Sequence, residues 1–468
     1  MRSLHSRERI VWTVVTAVLL AGIALFALSP RLLAASPEDE TQAYLATIGE
    51  VFRKIRDSYV DADKSQPAAL YEGALKGMFD SLADPNSKYL SAGEWTTITD
   101  VRDGTFGGVG LTIVKVEKMG AQVQSAIEGT PGYRAGITAG DIIINVNGES
   151  MADLTLDQIR DRLRGPPDTT VAVTVKRGDA VQFDATITRG MIELPVVKYA
   201  MMPGNIGYLR ITEFTPQAAD RSREAIRSFM ASGYTSLILD LRSNLGGLLD
   251  AGVDVANLFL DQGVIVQSKS ERVASENVTY NARRTRMLVD PRIPMAVLVD
   301  QWSASASEIV AGALRDYHRA TLFGEKTFGK GSVQRLYTLE TGGFRLTTSR
   351  YYLPSGVTID KVGIEPDRAF KEPELSETEQ KALNDLLNGP LLKDFLKAHP
   401  KPAEDQVGTF IADLHARGIV LSDRYLRRLV RVQANVTNNN PPLYDLDFDV
   451  VLQAAVKALE NHEIGTGK

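Results

Sequence analysis

The sequence predicts a multidomain chain in which a small β-rich module precedes a mixed α/β core and helical regions flank both. Three observations carry that expectation. The 468 residues exceed what one hydrophobic core usually supports. From about 97 to 190, glycines punctuate short β-branched runs (FGGVGLTIV, GDIIINVNG, TTVAVTVKRG, FDATITR) around a single amphipathic helical stretch. From 191 to 370, buried-looking strands are each followed by a turn or a helix, the pattern of a mixed α/β layer.

Taken in order, residues 1–35 read as a membrane anchor or signal segment. Arg2, Arg7 and Arg9 precede IVWTVVTAVLLAGIALFAL, an uncharged run from 10 to 28. A bilayer core needs about 20 apolar residues, whereas the apolar part of a signal peptide has about 7–15. The length favours an uncleaved anchor, and Leu33-Ala34-Ala35 before Ser36 is a poor cleavage site. The basic flank stays in the cytoplasm. The expectation is an envelope protein anchored in the inner membrane and facing the periplasm or extracytoplasmic space, or released to the periplasm if the segment is cleaved.

Residues 36–96 read as helical: Tyr44, Leu45, Ile48, Val51, Phe52 and Ile55 recur at a helical period, and a second helix from Pro67 to Leu82 stops at Asp84-Pro85-Asn86. In the module at 97–190, LTLDQIRDRLRG places Leu156, Ile159 and Leu163 on one helix face. In the core at 191–370, YTSLILDLR, MAVLVD and RATLFG read as buried strands. SVQRLYTLE and FRLTTSRYYL read as a hairpin joined by Thr341-Gly342-Gly343. The tail at 371–468 reads as helical. Ser376 and Glu379 are spaced as a capping box, Asn388-Gly389-Pro390 ends that helix, and a last amphipathic helix runs from Asp449 to Glu460.

Composition narrows the chemistry. The residues are 44% hydrophobic and 24% charged, and a formal net charge of -5 argues against a nucleic-acid partner. The arginine clusters at Arg283, Arg284, Arg286 and at Arg424, Arg427, Arg428, Arg431 read as solvated faces. No cysteine is present, which excludes disulfides, thiol catalysis, thiolate metal sites and a lipid-modified N-terminal cysteine. There are five histidines and no HExxH, so a zinc hydrolase has little support, and no cofactor is expected.

A candidate nucleophile lies in VDQWSASASEIVAG, where Ser303, Ser305 and Ser307 alternate with alanines between a strand and a helix. The helix start offers free backbone N–H groups and a positive dipole end for a developing oxyanion. Plain helix capping would equally explain a serine there. His318 sits at the far end of that helix, about 20 Å from Ser305, and His399, His415 and His462 lie in the polar tail, so a histidine base is disfavoured. A lysine made less basic by burial is the remaining option. Lys330, between Gly329 and Gly331 and with no acid within three residues, suits it. A solvated loop lysine is the alternative, and Lys326 beside Glu325 reads as one. In DLRSNLGG, Gly246 and Gly247 follow a strand and can leave N–H groups open to a ligand, or serve chain reversal only.

The ordered motifs DPNSKYL, FGGVGL, DLRSNLGG, SASASEIVAGAL, TFGKGSVQ, RYYLPSG and GIEPD, from about 67 to 370, resemble the carboxy-terminal processing (tail-specific) serine proteases with an embedded PDZ domain. Family members place nucleophile and base 25 positions apart, which picks Ser305 and Lys330 here. The resemblance further implies Gln334 as a residue orienting Lys330, and the backbone N–H groups of Ala306 and Gly247 as the oxyanion hole. Gly246 is the neighbouring choice, because Leu245 stands where the family more often has a third glycine. The β-rich module is similar to a PDZ domain, with Gly107, Gly108, Val109, Gly110 and Leu111 as the loop and strand that hold a substrate tail by β-augmentation. Where the family usually reads Pro-Ala, this chain has Pro131-Gly132-Tyr133-Arg134.

The implied function is an endopeptidase of the cell envelope that cuts proteins near their C-termini. Its expected partners are protein substrates held by their tails and the membrane at the N-terminal segment, with an adaptor protein and further copies of the chain as candidates. The rival is a non-catalytic PDZ scaffold that binds tails in the envelope. The module is further expected to gate the site through hinges on either side of it, with Arg164 as a candidate for the contact that differs between the two states; a rigid tether that only raises local substrate concentration is the alternative.

Overall fold

The computed structural model describes residues 11–21, 37–103, 105–178, 181–371, 375–437 and 442–465. Two compact units divide at Tyr89 and Leu90. In the first, residues 11–21 are helical, and the rest of the apolar run from 22 to 28 lies outside the described residues. No described helix is long and apolar enough to cross a membrane. Helices Pro37–Ser58 and Pro67–Asp80 follow the apolar periodicity closely. Tyr44, Leu45, Ile48, Val51 and Ile55 are exposed.

The second unit holds the β-rich module, the α/β core and the helical tail. In the module, five strands pair antiparallel in the spatial order Leu111–Val116, Gly120–Ala126, Ile142–Val146, Thr170–Arg177, Val181–Thr188. Helix Leu156–Leu163 starts at Thr155, whose hydroxyl accepts from Gln158 N at 3.3 Å, while Gln158 returns a bond to the Thr155 N–H at 2.9 Å. Ile159 and Leu163 are buried in the module's own core with Val123, Ile143 and Val173.

The core sheet has the order Val197–Met202, Ile206–Ile211, Ser236–Asp240, Met295–Val299, Thr321–Gly324, Arg368–Ala369. Its first pair is antiparallel and the other four are parallel. Central strands covered on both faces read as continuous apolar runs. Along Met295–Val299, Met295, Val297 and Val299 face the larger core with helices Ala218–Ala231, Leu249–Ala256 and Ala306–Asp316. Ala296 and Leu298 face the opposite side, where Leu452, Ala455 and Leu459 of helix Val450–Glu460 cover the sheet. The last helix is therefore part of the core's layering, whereas helices Glu377–Asn388, Pro390–Ala398, Glu404–Ala416 and Asp423–Thr437 build a separate small core. Arg242 ties that last helix to the end of a central strand, binding Asp240 at 2.6 Å and Asp449 at 2.7 Å.

A hairpin, Ser332–Thr338 with Gly343–Tyr352, follows the loop after Thr321–Gly324, and its second strand pairs antiparallel with Val264–Lys269 in a separate sheet. Gly342 turns it at φ +74°, where an added Cβ would meet the Leu90 carbonyl at 2.4 Å.

Candidate active site

Three loops leave the carboxyl ends of neighbouring parallel strands, where open α/β sheets place their sites, and side chains with backbone bonds stitch them together. Asp300 ends its strand with a carboxylate that accepts from the Ser243 N–H at 2.9 Å, the Trp302 N–H at 3.0 Å and the Ser303 hydroxyl at 3.2 Å. Asn244 is fully buried. Its amide donates to the Ile211 carbonyl at 2.9 Å, and its own carbonyl accepts from the Ala304 N–H at 3.0 Å and the Ser307 hydroxyl at 2.8 Å. The Ser303 hydroxyl donates to the Leu241 carbonyl at 2.9 Å. Ser303 and Ser307 are thus fixed by structural bonds, and Ser305 stands between them.

Ser305 occupies the position before helix Ala306–Asp316, with φ 56° and ψ -115°. A non-glycine residue held there carries local strain of order 1–3 kcal/mol, which persists only where surrounding bonds over-determine it. Those bonds converge on Glu308, which is fully buried one turn along. Its Oε2 accepts from the Ser305 N–H at 2.9 Å and the Lys330 N–H at 2.8 Å. Its Oε1 accepts from the Thr327 hydroxyl at 2.6 Å and the Gly329 N–H at 2.7 Å. One carboxylate oxygen therefore joins the backbones of Ser305 and Lys330, whose nitrogens stand no farther apart than those two contacts together span. Burial pushes the Glu308 carboxyl above the usual carboxylate range, and the four donors pull it back. With only donors aimed at it, the ionised form is the one the geometry accommodates.

The Lys330 loop is clamped from its other side. Gly329 O accepts from the Lys361 N–H at 2.7 Å, and Gly331 O from the Tyr351 N–H at 2.7 Å. A Cβ on Gly331 would lie 2.2 Å from the Asp360 nitrogen, so glycine there is a matter of space. Lys330 itself is half-buried. Burial first, then the positive Arg345, lower its amine from the ordinary value of 10.5, and the Glu308 charge opposes them. A lysine shifted this way can accept a proton nearer neutral pH.

The two glycines after Ser236–Asp240 divide their roles. The Gly246 N–H donates to the Asn244 side-chain oxygen at 2.9 Å and is thereby occupied. No acceptor meets the Gly247 N–H among the described residues, while its neighbours bond Phe214 on either side. Ala306, as the first helical residue, likewise presents an N–H without an intrahelical partner. A Cβ on Gly246 would lie 2.7 Å from Ser305 Cβ and 3.1 Å from Ala306 N, so Gly246 packs directly beneath the serine.

Gln334 lies on the hairpin strand at a bulge, opposite Thr347. Its amide nitrogen donates to the Ser332 hydroxyl at 2.9 Å and the Thr347 hydroxyl at 3.3 Å. The bond from Lys330 to its amide oxygen, expected from the sequence, is not formed in this structure.

In the β-rich module, Leu111–Val116 is an edge strand with its outer side unpaired in the sheet. Gly107 and Gly108 belong to a separate two-stranded pairing with residues 190 and 191. The N–H groups of Val109 and Gly110 have no protein acceptor among the described residues. Gly110 turns at φ +78°, with Thr130 packed against it. The Pro131-Gly132 departure has a steric reason: a Cβ at Gly132 would lie 2.8 Å from the Val109 carbonyl. Arg164 follows the module's helix and stacks its guanidinium over the Phe106 ring at 4.5 Å, within the module. Glu193 and Arg221 join the strand leaving the module to the first core helix through paired bonds of 2.7 Å. Among the described residues no cluster of three or more acids or histidines could hold a metal ion.

Sequence reasoning passed over Glu308, Asp300, Asn244 and Arg345. Of these Glu308 alone carried a local signal, its capping-box spacing from Ser305.

Comparison with known proteins agrees with this architecture. Residues 205–370 match the model of peptidase family S41, residues 122–177 that of a PDZ domain, and residues 30–93 that of the activating protease CtpB N-terminal domain. A carboxy-terminal-processing protease of Bartonella bacilliformis is 38% identical over 372 residues, 78% of this chain and 83% of that protein. A carboxyl-terminal-processing protease of Synechocystis is 32% identical over 412 residues, 82% of this chain and 94% of that one. The solved photosystem II D1 C-terminal processing protease is 29% identical, covering 69% of this chain and 92% of its own, with a TM-score of 0.40, too low for its fold to add weight. These matches define a serine-type peptidase with a PDZ module. The chain belongs to the carboxy-terminal-processing protease family.

Proposed function

We propose that this protein is an envelope endopeptidase that takes hold of protein C-terminal tails and cleaves near them with a Ser305–Lys330 site. The observation that carries it is the single Glu308 oxygen bonded to both the Ser305 and Lys330 N–H groups, because it fixes nucleophile and base relative to each other. Neutral Lys330 takes the proton from Ser305 Oγ as the oxygen attacks the scissile carbonyl. The N–H groups of Ala306 and Gly247 receive the oxyanion. Lys330 then gives the proton to the leaving amine, and water, deprotonated by the same lysine, releases the acyl group. Gln334, pinned at its nitrogen, keeps its oxygen available to orient the amine once substrate has closed the site.

A substrate tail adds a strand to the edge Leu111–Val116, with its carboxylate at the Val109 and Gly110 N–H groups. The uncharged run at 10–28 with its basic flank supports an anchored, outward-facing protein. The chain from Thr188 to Pro195 is the hinge through which tail binding governs the site, and the Glu193–Arg221 pair ties that segment to the first core helix. Deletion of 97–188 yields a variant active on short peptides if the empty module blocks the site, and a dead one if the module activates it.

The primary test uses protein lacking residues 1–35 and a substrate with an unstructured C-terminal tail. Wild type degrades it, and S305A and K330A each abolish cleavage. A K330A variant with near-full activity overturns the mechanism. Tail binding without cleavage by wild type would leave the scaffold reading in its place.

A further inference from the structure

Among the described residues, each of the three loops that build the site carries a large apolar side chain that is more than half exposed. Leu245, two residues before Gly247, is 65% exposed; Trp302, three before Ser305, is 52%; Phe328, two before Lys330, is 58%. A single exposed apolar residue is ordinary, whereas a contiguous group marks a binding surface. The loops are not independent. The Phe328 N–H donates to the Ser303 carbonyl at 3.1 Å, next to Trp302, and the Ala304 N–H donates to the Asn244 carbonyl at 3.0 Å, next to Leu245. The Trp302 N–H is held by Asp300 at 3.0 Å. Each side chain therefore projects to solvent from a backbone that is bonded in place, around one nucleophile.

We infer that Leu245, Trp302 and Phe328 form an apolar rim that selects substrates by a large uncharged side chain on a residue flanking the scissile bond. The inference rests on the reading of Ser305 as nucleophile and adds to it the residues that read sequence. The occupant follows from continuity. A chain whose carbonyl reaches the Ala306 and Gly247 N–H groups must pass over residues 245 and 302. The residue carrying the leaving amine must pass the Lys330 loop, where Phe328 stands. An aspartate or glutamate there would lose hydration against three apolar faces and find no cation among them. A leucine or phenylalanine would bury its side chain together with theirs. Selection of this kind between apolar side chains of different size is worth about 10–200-fold in kcat/KM.

The test takes the full chain and internally quenched peptides that share one C-terminal tail and differ only at the two residues flanking the cleaved bond, as Leu, Ala, Ser or Asp. Wild type prefers Leu over Asp by at least about tenfold. L245A, W302A and F328A each reduce that ratio, mainly through KM for the Leu peptide. W302R, which places a cation in the rim, raises turnover of an Asp peptide. Truncating solvent-exposed side chains leaves the buried core intact, and circular dichroism checks that the variants are folded. Ratios unchanged within twofold in all four variants overturn the rim. Labelling of wild type and S305A with a small serine-reactive probe separates the two levels. Equal labelling of both removes the nucleophile itself, whereas labelling of wild type alone with unchanged ratios removes only the rim.

Discussion

Glu308→Gln separates two effects of one carboxylate, its charge and its geometry. The glutamate oxygens accept four bonds in two pairs: Thr327 and Gly329 on Oε1, Ser305 and Lys330 on Oε2. A glutamine has one acceptor oxygen, so one pair keeps a partner and the other faces an amide NH2. The buried Thr327 hydroxyl already accepts from the Ile364 N–H at 2.7 Å and gives its one proton to Oε1 at 2.6 Å, so the acceptor oxygen stays with that pair and the amide nitrogen turns towards Ser305 and Lys330. Two bonds to a charged acceptor are lost at about 1.5–3 kcal/mol each, which is enough to let the strained Ser305 backbone and the Lys330 loop move apart. A displacement of about 1 Å at reacting groups costs on the order of 100-fold in rate.

The charge effect runs the other way. Glu308 raises the Lys330 pKa, so its removal lowers that pKa and leaves more neutral amine at neutral pH. On the alkaline plateau Lys330 is neutral in both proteins and only the geometric loss remains. The expected result, from peptide hydrolysis followed from neutral to alkaline pH, is a plateau kcat about 100-fold lower, with KM little changed and the rising limb moved to lower pH. An E308Q variant with wild-type plateau kcat would refute the clamp. A lowered plateau with an unmoved limb would refute the electrostatic half.

Four further outcomes follow from other contacts. Because burial and Arg345 lower the Lys330 pKa, wild-type kcat/KM rises with pH through a value below 10.5, and R345Q moves that limb to higher pH as measured by the same profile. The matching stability sign is that unfolded Lys330 binds more protons than the folded form between its lowered pKa and 10.5, so its contribution to stability becomes more favourable as pH rises across that window, and denaturant titrations of K330M lack that slope. Gly246→Ala puts a Cβ 2.7 Å from Ser305 Cβ at φ +104°, so labelling by a serine-reactive probe falls at least about tenfold while the fold survives. Asp240→Ala strips a fully buried carboxylate from Arg242 at 2.6 Å and from the Tyr208 hydroxyl at 2.6 Å, with an expected loss of about 3–5 kcal/mol in denaturant unfolding.

The legible part of this chain is what linear order fixes. The strand MAVLVD with its helix, the hairpin turning at Gly342 and the helix capped by Thr155 follow from periodicity and turn chemistry, and each stands where those rules put it. The layering of the tail was not legible, because Leu452, Ala455 and Leu459 on an amphipathic helix specify an apolar contact without naming the sheet that supplies it.

The candidate site divides on the same line. Absence of acids within three residues made Lys330 look isolated from carboxylates, yet Glu308, twenty-two positions earlier, bonds its backbone at 2.8 Å. Sequence distance measures charge environment only along an extended chain. Here the helix start and the lysine loop come from adjacent strand ends, and the carboxylate crosses between them. The conformation of Ser305 is the extreme case. Serine has no intrinsic preference for φ 56° and ψ -115°, and the one local pattern that sets it apart from Ser303 and Ser307, its capping-box spacing to Glu308, reads as an ordinary helix start. Its neighbours' hydroxyls are fixed to Leu241 and Asn244, its own N–H is fixed to Glu308, and Gly246 leaves no room beneath it. The middle serine is held in its strained conformation by bonds that reach it from two other loops, and its hydroxyl is the one of the three not drawn into holding those loops together.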